Sequence, residues 1–410
     1  MTGMAAALFA AEHHIDTVQV GLTAELNYAS GCLDLMGVHP ADKGHQWDNP
    51  WHAINALAED CPQHPFSRLE PGDIEYAFAS LLRFLEQHGL PYYRNPQRNL
   101  RVMTPVGTLK NTYAVPLSTY HGIAALKTKS PCLIVDFKGL KGFSAAQIAQ
   151  SLNPHWSKLN ACRLTVPQAA PGDLYPERMA QWLELPENRT GLIEAIKPHL
   201  SGLNYVALPA VLGLYRPTDV FDDFQRRLAP CRLFEIPTMP PSITGLRLRH
   251  VFEQNLPGYG VRCFFQHKVL HADNKNRRRF VFEIGYEQPE IIVHAKGAIL
   301  ASGRFFGRGL RANRRLIQET VFGLPVYQPP CRADWHSKTM LDPNGHAINR
   351  AGIETDEHLR PVDQNGRVIY PSLFAAGSIL AHQDWVRQKC GSGLAISTAY
   401  RAVRQFMHCR

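Results

Sequence analysis

The chain has 410 residues, 45% of them hydrophobic and 19% charged. That balance fits a folded protein of two or three domains and excludes a disordered or fibrous one. Lys and Arg exceed Asp and Glu by 44 − 35 = 9, which favours an anionic substrate, cofactor or surface; with no basic stripe interleaved with aromatics in the sequence, nucleic acid is not expected.

The nine cysteines are scattered, odd in number and without a CxxC pair. They form neither a disulfide framework nor a zinc or iron–sulfur ligand set, and reduced thiols in a cytoplasmic protein are expected, with no metal site. No stretch reaches the roughly 20 apolar residues of a spanning helix. Residues 4–11 lack the basic flank and cleavage site of a signal peptide.

In chain order, MTGMAAALFAAEHHIDTVQVG reads as a Gly-led helix of small residues followed by an apolar strand over 17–20. A polar loop ends in NYASGCLDLMG. Residues 50–100 alternate short helices with Pro and Gly breaks, and 74–87 form an amphipathic helix stopped by Gly89 and Pro91. From Cys132 the strands CLIVDF, CRLTV, YVALP and CRLFEI alternate with helical segments near 144–152, 177–198 and 219–228. Strands spaced by helices predict a parallel sheet with right-handed crossovers. A helix starting at Ser242 leads into the strand-like runs GVRCFFQHKVLHA, RRFVFEIG and EIIVHAKGAILASG, and the basic run 277–279 reads as a solvated hairpin tip. The tail reads as a hairpin, AGIETDEHLRP, a strand, SLFAAGSIL, and a helix, GSGLAISTAYRAVRQF.

Some of these pieces carry chemistry. Gly3 takes the place of the third glycine in a dinucleotide-binding turn, where helix and strand touch; Ala5, Ala6, Ala7, Ala10 and Ala11 permit the close packing. An ordinary Ala-rich helix has the same look. AILASGRFFGRG resembles the strand that, in two-dinucleotide-binding flavoproteins, ends in Ala-Thr/Ser-Gly against the cofactor, which makes Ser302 and Gly303 candidates. SLFAAGS and CGSGLA supply Gly377, Ser378, Gly391, Ser392 and Gly393, a turn and a helix N-terminus whose amides and dipole suit a flavin. VDFKGLKGFSAAQ, with Ser144 as N-cap, has the build of a phosphate loop and equally of a plain strand–helix connection. Arg247 and Arg249, on the helix capped by Ser242, and Arg360 in TDEHLRP are candidate clamps for an anionic substrate, or surface arginines. His382, just past the flavin-side turn, is the candidate base for oxidising an alcohol, or a loop histidine without that duty.

The segments SGCLDL (30–35), RVMTPVGTLKNTY (101–113), IPTMPPSITGLRL (236–248), ILASGRFFGRGL (299–310), TDEHLRP (355–361) and LFAAGS with CGSGLA (373–395) together resemble the B-subunit family of anaerobic, quinone-linked glycerol-3-phosphate dehydrogenases. The resemblance implies an α/β, FAD/NAD(P)-binding (Rossmann-like) flavoprotein fold. Residues 1–45 with 290–410 would form the flavin-binding domain and 46–130 a substrate-side segment. Residues 131–240 would be an inserted parallel α/β subdomain and 241–289 a β-rich connection. It further implies oxidation of glycerol 3-phosphate to dihydroxyacetone phosphate. Two partners are implied: a catalytic flavoprotein (the A subunit) and an iron–sulfur protein (the C subunit). The latter would hold the cytoplasmic complex at the inner membrane and pass electrons to quinone.

Family members open with a strand and a full glycine turn ahead of the position of Gly3, so the expectation is a coding start upstream of Met1. Two departures favour FMN, with FAD as the alternative. Gly21 stands where an acidic ribose ligand usually ends the second strand, with Glu25 several residues late, and Ser378 stands where an Asp often follows Ala-Gly. Two other functions fit the same residues: a non-catalytic assembly or electron-transfer subunit with a decayed flavin site, and a free-standing flavin oxidoreductase on another small acid or amine.

Overall fold

The computed structural model describes residues 1–166, 172–275 and 279–409. Two compact units emerge: Met1–Glu25, Leu33–Leu81 and Phe252–Arg410 make one, Leu26–Cys32 and Leu82–Val251 the other.

The second unit is built on a four-stranded parallel sheet in the order Leu159–Leu164, Cys132–Phe137, Tyr205–Pro209, Arg232–Ile236. Cys132–Phe137 and Tyr205–Pro209 are buried along their full length, which is why both read as unbroken apolar runs rather than alternating ones. Helices Ala145–Leu152 and Pro217–Arg227 carry the crossovers where they were expected. The helical stretch near 177–198 is instead two helices, Pro176–Trp182 and Pro186–Ile196, because Pro186 has no amide to continue the first ladder. The strand read as CRLTV begins three residues earlier, at Leu159.

In the first unit, helix Thr2–Glu12 buries Ala5, Ala6, Ala7 and Ala10 and packs along the C-terminal helix Gly391–His408, with the Phe9 ring edge-on to Tyr400 at 5.4 Å. The same N-terminal helix touches strands Val18–Gly21 and Ala298–Leu300. Val18–Gly21 pairs in parallel with Arg262–Phe265, and Ala298–Leu300 in parallel with Leu373–Ala375. A three-stranded antiparallel sheet, Lys268–Lys275, Arg279–Gly285 and Pro289–Ala295, completes this unit's larger elements. Two runs read as single strands are split. GVRCFFQHKVLHA breaks at Gln266, which has a left-handed φ of 63°, and EIIVHAKGAILASG breaks at Gly297, where the Phe406 ring leaves no space for a Cβ. Of the basic run 277–279, Arg279 opens a strand and the other two positions lie outside the described residues.

Candidate functional site

The N-terminus of helix Thr2–Glu12 is a meeting point. A Cβ on Gly3 would lie 3.7 Å from that of Ala301, so the helix start rests on the Ala-Ser-Gly turn. Gly377 adopts φ 79°, and a Cβ there would overlap the Thr2 hydroxyl. Only glycine meets both conditions without strain. The Gly377 amide donates to Thr398 Oγ1 at 2.8 Å, and the Ala376 amide to the Leu300 carbonyl at 3.0 Å. These bonds tie the Ala-Gly-Ser turn to the C-terminal helix and to the strand before Ser302. At the start of that helix, the Gly393 amide donates to the Asp34 carbonyl at 2.5 Å, and Gly391 abuts the Trp385 ring. Gly3, Ser302, Gly303, Gly377 and Ser378 therefore converge, and Gly391, Ser392 and Gly393 begin the helix that packs on the 377–379 turn.

Two residues at this site are not evident from the sequence. Arg304, directly after Ala-Ser-Gly, donates Nε to the Ser378 carbonyl at 2.8 Å, Nη2 to the Gln383 carbonyl at 2.8 Å, and Nη1 to the Asn349 carbonyl. Burial pushes its guanidinium down to about 10, with Asp384 and Cys390 opposing, so it remains charged at neutral pH. Glu25, by counting, stands several residues late for an acid that ends the strand. The 3-10 turn Thr23–Tyr28 brings its carboxylate back against Gly303 and Gly307, at 3.1 Å from where a Gly303 Cβ would sit. Burial raises its pKa, and the Met1 ammonium opposes that shift. Contrary to the expectation from Gly21, an acid does stand just after strand Val18–Gly21.

These residues fit a flavin. Neither helix Thr2–Glu12 nor helix Gly391–His408 has a side chain capping its first amides, which leaves positive dipole ends for phosphate or an electron-rich ring edge. Ser302 Oγ is buried and has no hydrogen-bond partner among the described residues, an orphaned group of the sort a ligand satisfies. Gly303 and Gly377, both with left-handed φ, keep the turns free of side chains.

The remaining candidates separate. His382 is not loose in a loop: Nε2 lies 2.8 Å from Glu354 Oε1, and the ring sits 4.1 Å from that of Tyr327. Tyr327 and Glu354 line a cavity of about 330 Å³, with Gln318, Gln328 and Asp363 among its other polar walls. Arg247, expected to bind substrate, is buried and committed. It bonds both oxygens of Glu235 at 2.6 and 3.0 Å and the carbonyls of Gly213 and Leu212. A guanidinium spent this way holds the fold and has no face to offer an anion. Arg249 reaches Asn27 Oδ1 at 3.5 Å. Arg360 is half-buried and paired with Asp356 at 2.7 Å. The glycine loop after Cys132–Phe137 is a plain connection, because Asp136 accepts from the Ala145 amide at 3.3 Å and pairs with Arg163 at 2.8 Å, putting a carboxylate where a phosphate would go.

The resemblance read from the sequence extends over nearly the whole chain. A Vibrio vulnificus (strain YJ016) protein, named as the B subunit of anaerobic glycerol-3-phosphate dehydrogenase, is 28% identical over 99% of this chain and 94% of its own length. Proteins of the same name from Vibrio cholerae serotype O1 (strain M66-2) and Pectobacterium atrosepticum are 29% and 28% identical, each over 93% of this chain and 88% and 90% of their own lengths. The family described as FAD binding domain matches residues 1–394. Its description names FAD, so the preference for FMN finds no support there and the α/β flavoprotein fold stands. By that match, the chain belongs to the FAD binding domain family.

Proposed function

We propose that this chain is the flavin-carrying B subunit of an anaerobic glycerol-3-phosphate dehydrogenase, taking part in oxidation of glycerol 3-phosphate to dihydroxyacetone phosphate. FAD is the favoured cofactor and FMN the alternative. Electrons leave toward quinone through partners, the catalytic A subunit together with an iron–sulfur C subunit that sits at the inner membrane. Among the described residues no group of His, Cys, Asp or Glu could hold a metal, and no helix is long and apolar enough to cross a membrane. The observation that carries the reading is the convergence of the Ala-Ser-Gly and Ala-Gly-Ser turns on the N-terminus of helix Thr2–Glu12. The relatives' names support the substrate.

A bound flavin supplies acceptance of a hydride. Gly3, Ser302, Gly303, Gly377 and Ser378 would hold it, with the amides of Gly391 and Ser392 at the C-terminal helix start and Glu25 beside Gly303; the Gly393 amide, also expected to serve, is already taken by the Asp34 carbonyl. His382 is the proton acceptor: Glu354 takes Nε2–H, which leaves Nδ1 as the basic nitrogen. Arg360, held by Asp356, is the candidate cation for the substrate phosphate.

Purification with the partner proteins and heat release of the bound chromophore tests the reading. A yellow protein that releases FAD, and that glycerol 3-phosphate bleaches only in the presence of the catalytic partner, is the expected result. Colourless protein that still restores activity to its partners would make it an assembly subunit. Activity of the isolated chain on another small acid or amine would make it a free-standing oxidoreductase.

A further inference from the structure

Residues 304–316 read RFFGRGLRANRRL, five arginines in thirteen residues. Arg304 turns inward to the three carbonyls it serves. The other four, Arg308, Arg311, Arg314 and Arg315, are exposed, and among the described residues none has an ion-pair partner. They ride on a β-hairpin. Leu310–Ala312 pairs antiparallel with Ile317–Glu319, with Arg311 opposite Gln318. Leu310 and Ile317 on the inner face are buried in the core, which fixes the hairpin to its unit. The tip is closed by Asn313, whose Oδ1 accepts from the amides of Arg315 at 2.7 Å and Leu316 at 2.9 Å. A fifth exposed guanidinium joins them, since Arg332 Nη1 donates to the Asn313 carbonyl at 3.1 Å.

Acid within this stretch of chain does not offset the charge, although Glu354 and Asp363 line the same cavity as Leu316 and Gln318. Glu319 is the single carboxylate between 304 and 333, and it is buried with its oxygens taken by the amides of Val321, Phe322 and Leu324. Large apolar side chains border the arginines on both sides in the chain: Phe305 and Phe306 are 38% and 62% exposed, and Leu316 at the tip is 40% exposed. The sequence hides the patch, because no three of these arginines are adjacent. The hairpin's turn gathers them.

We propose that the hairpin around 308–316, with Arg332, docks on an anionic lipid surface. Guanidiniums on an exposed turn can pair with headgroup phosphates while Phe305, Phe306 and Leu316 enter the boundary of the acyl region. Cations interleaved with the exposed side chains of Phe305, Phe306 and Leu316 suit a deformable headgroup layer rather than the matched face of a folded partner. The chain's surplus of nine positive charges adds to the attraction. Each guanidinium near such a surface is worth about 5-fold in affinity. The proposal is independent of the flavin reading.

Cosedimentation of the full chain with phosphatidylcholine vesicles, with and without about one-third phosphatidylglycerol, tests it. Binding to the anionic vesicles only, weakened by salt, is expected. The pair Arg314→Gln with Arg315→Gln lowers it roughly 10-fold or more. Arg311→Gln with Arg332→Gln is a second, separate pair with the same expected effect, and Leu316→Ser removes the part that resists salt. Melting temperature and bound chromophore serve as fold controls. Equal partition onto both vesicles, or wild-type binding by both arginine pairs, overturns the proposal. So does a loss confined to association with partner proteins, which would assign the patch to an acidic protein face.

Discussion

Arg304 holds the Ser378 carbonyl at 2.8 Å, so the turn after strand Ala298–Leu300 and the turn after strand Leu373–Ala375 are locked together by one side chain. The same guanidinium reaches Gln383 and Asn349. Lysine presents a point charge and cannot serve three carbonyls in different directions. Arg304→Lys should keep the fold but release flavin about 10-fold faster, with a shifted visible band. Arg304→Met, which strands those carbonyls, should also lower the unfolding free energy by about 3 kcal/mol. Unchanged flavin retention in both variants would remove Arg304 from the site.

Gly377→Ala tests the meeting point itself. The left-handed φ alone costs about 1–2 kcal/mol for a residue with a Cβ, and the added methyl meets the Thr2 hydroxyl. The variant should purify with less than a tenth of the wild-type chromophore, read from the ratio of visible to ultraviolet absorbance, and a full complement would disprove the placement.

His64 makes stability depend on pH. Its ring is buried, Nδ1 accepts from the Phe66 amide at 3.1 Å and Nε2 donates to Gln388 Oε1 at 3.2 Å, so the neutral form is the one bonded. Burial lowers its pKa from 6.5 to about 3. Between those values the unfolded chain binds a proton that the folded chain refuses. Its contribution is therefore complete above pH 6.5 and declines as pH falls toward 3. Lowering the pH from 7 to 5 should cost wild type about 2 kcal/mol more than His64→Asn, measured by urea unfolding.

Asp73, at the start of helix Pro71–Gln87, is buried against Arg401 at 3.3 Å and Arg404 on the C-terminal helix. Asp73→Asn leaves two guanidiniums without their counter-charge and should lower the unfolding free energy by about 2–3 kcal/mol. A change below half of that in urea unfolding would mean that solvent takes over the role of the carboxylate.

The Arg247–Glu235 pair calls for a different pattern of variants. Glu235→Gln should destabilise by about 3 kcal/mol, because a buried guanidinium is left unpaired. The double replacement Arg247→Met with Glu235→Leu should recover much of that loss. Weaker substrate binding by Arg247→Met without loss of stability would restore the clamp reading.

The sequence determined the elements whose signal is local. The unbroken apolar runs at 132–137 and 205–209 are strands buried on both faces, and Ser144 and Ser242 cap helices from where they stand. Ala-Ser-Gly and Ala-Gly-Ser were legible as turns because only small residues permit such close approach. The tertiary structure decided the rest, since charge and distance along the chain say nothing of burial or direction. Arg247 and Arg304 are the same residue type in similar glycine-containing surroundings. One is spent inside a parallel sheet's core, while the other joins two turns seventy-four positions apart. Glu25, late by counting, returns through a turn of 3-10 helix, and scattered arginines become one patch only when a hairpin folds them together.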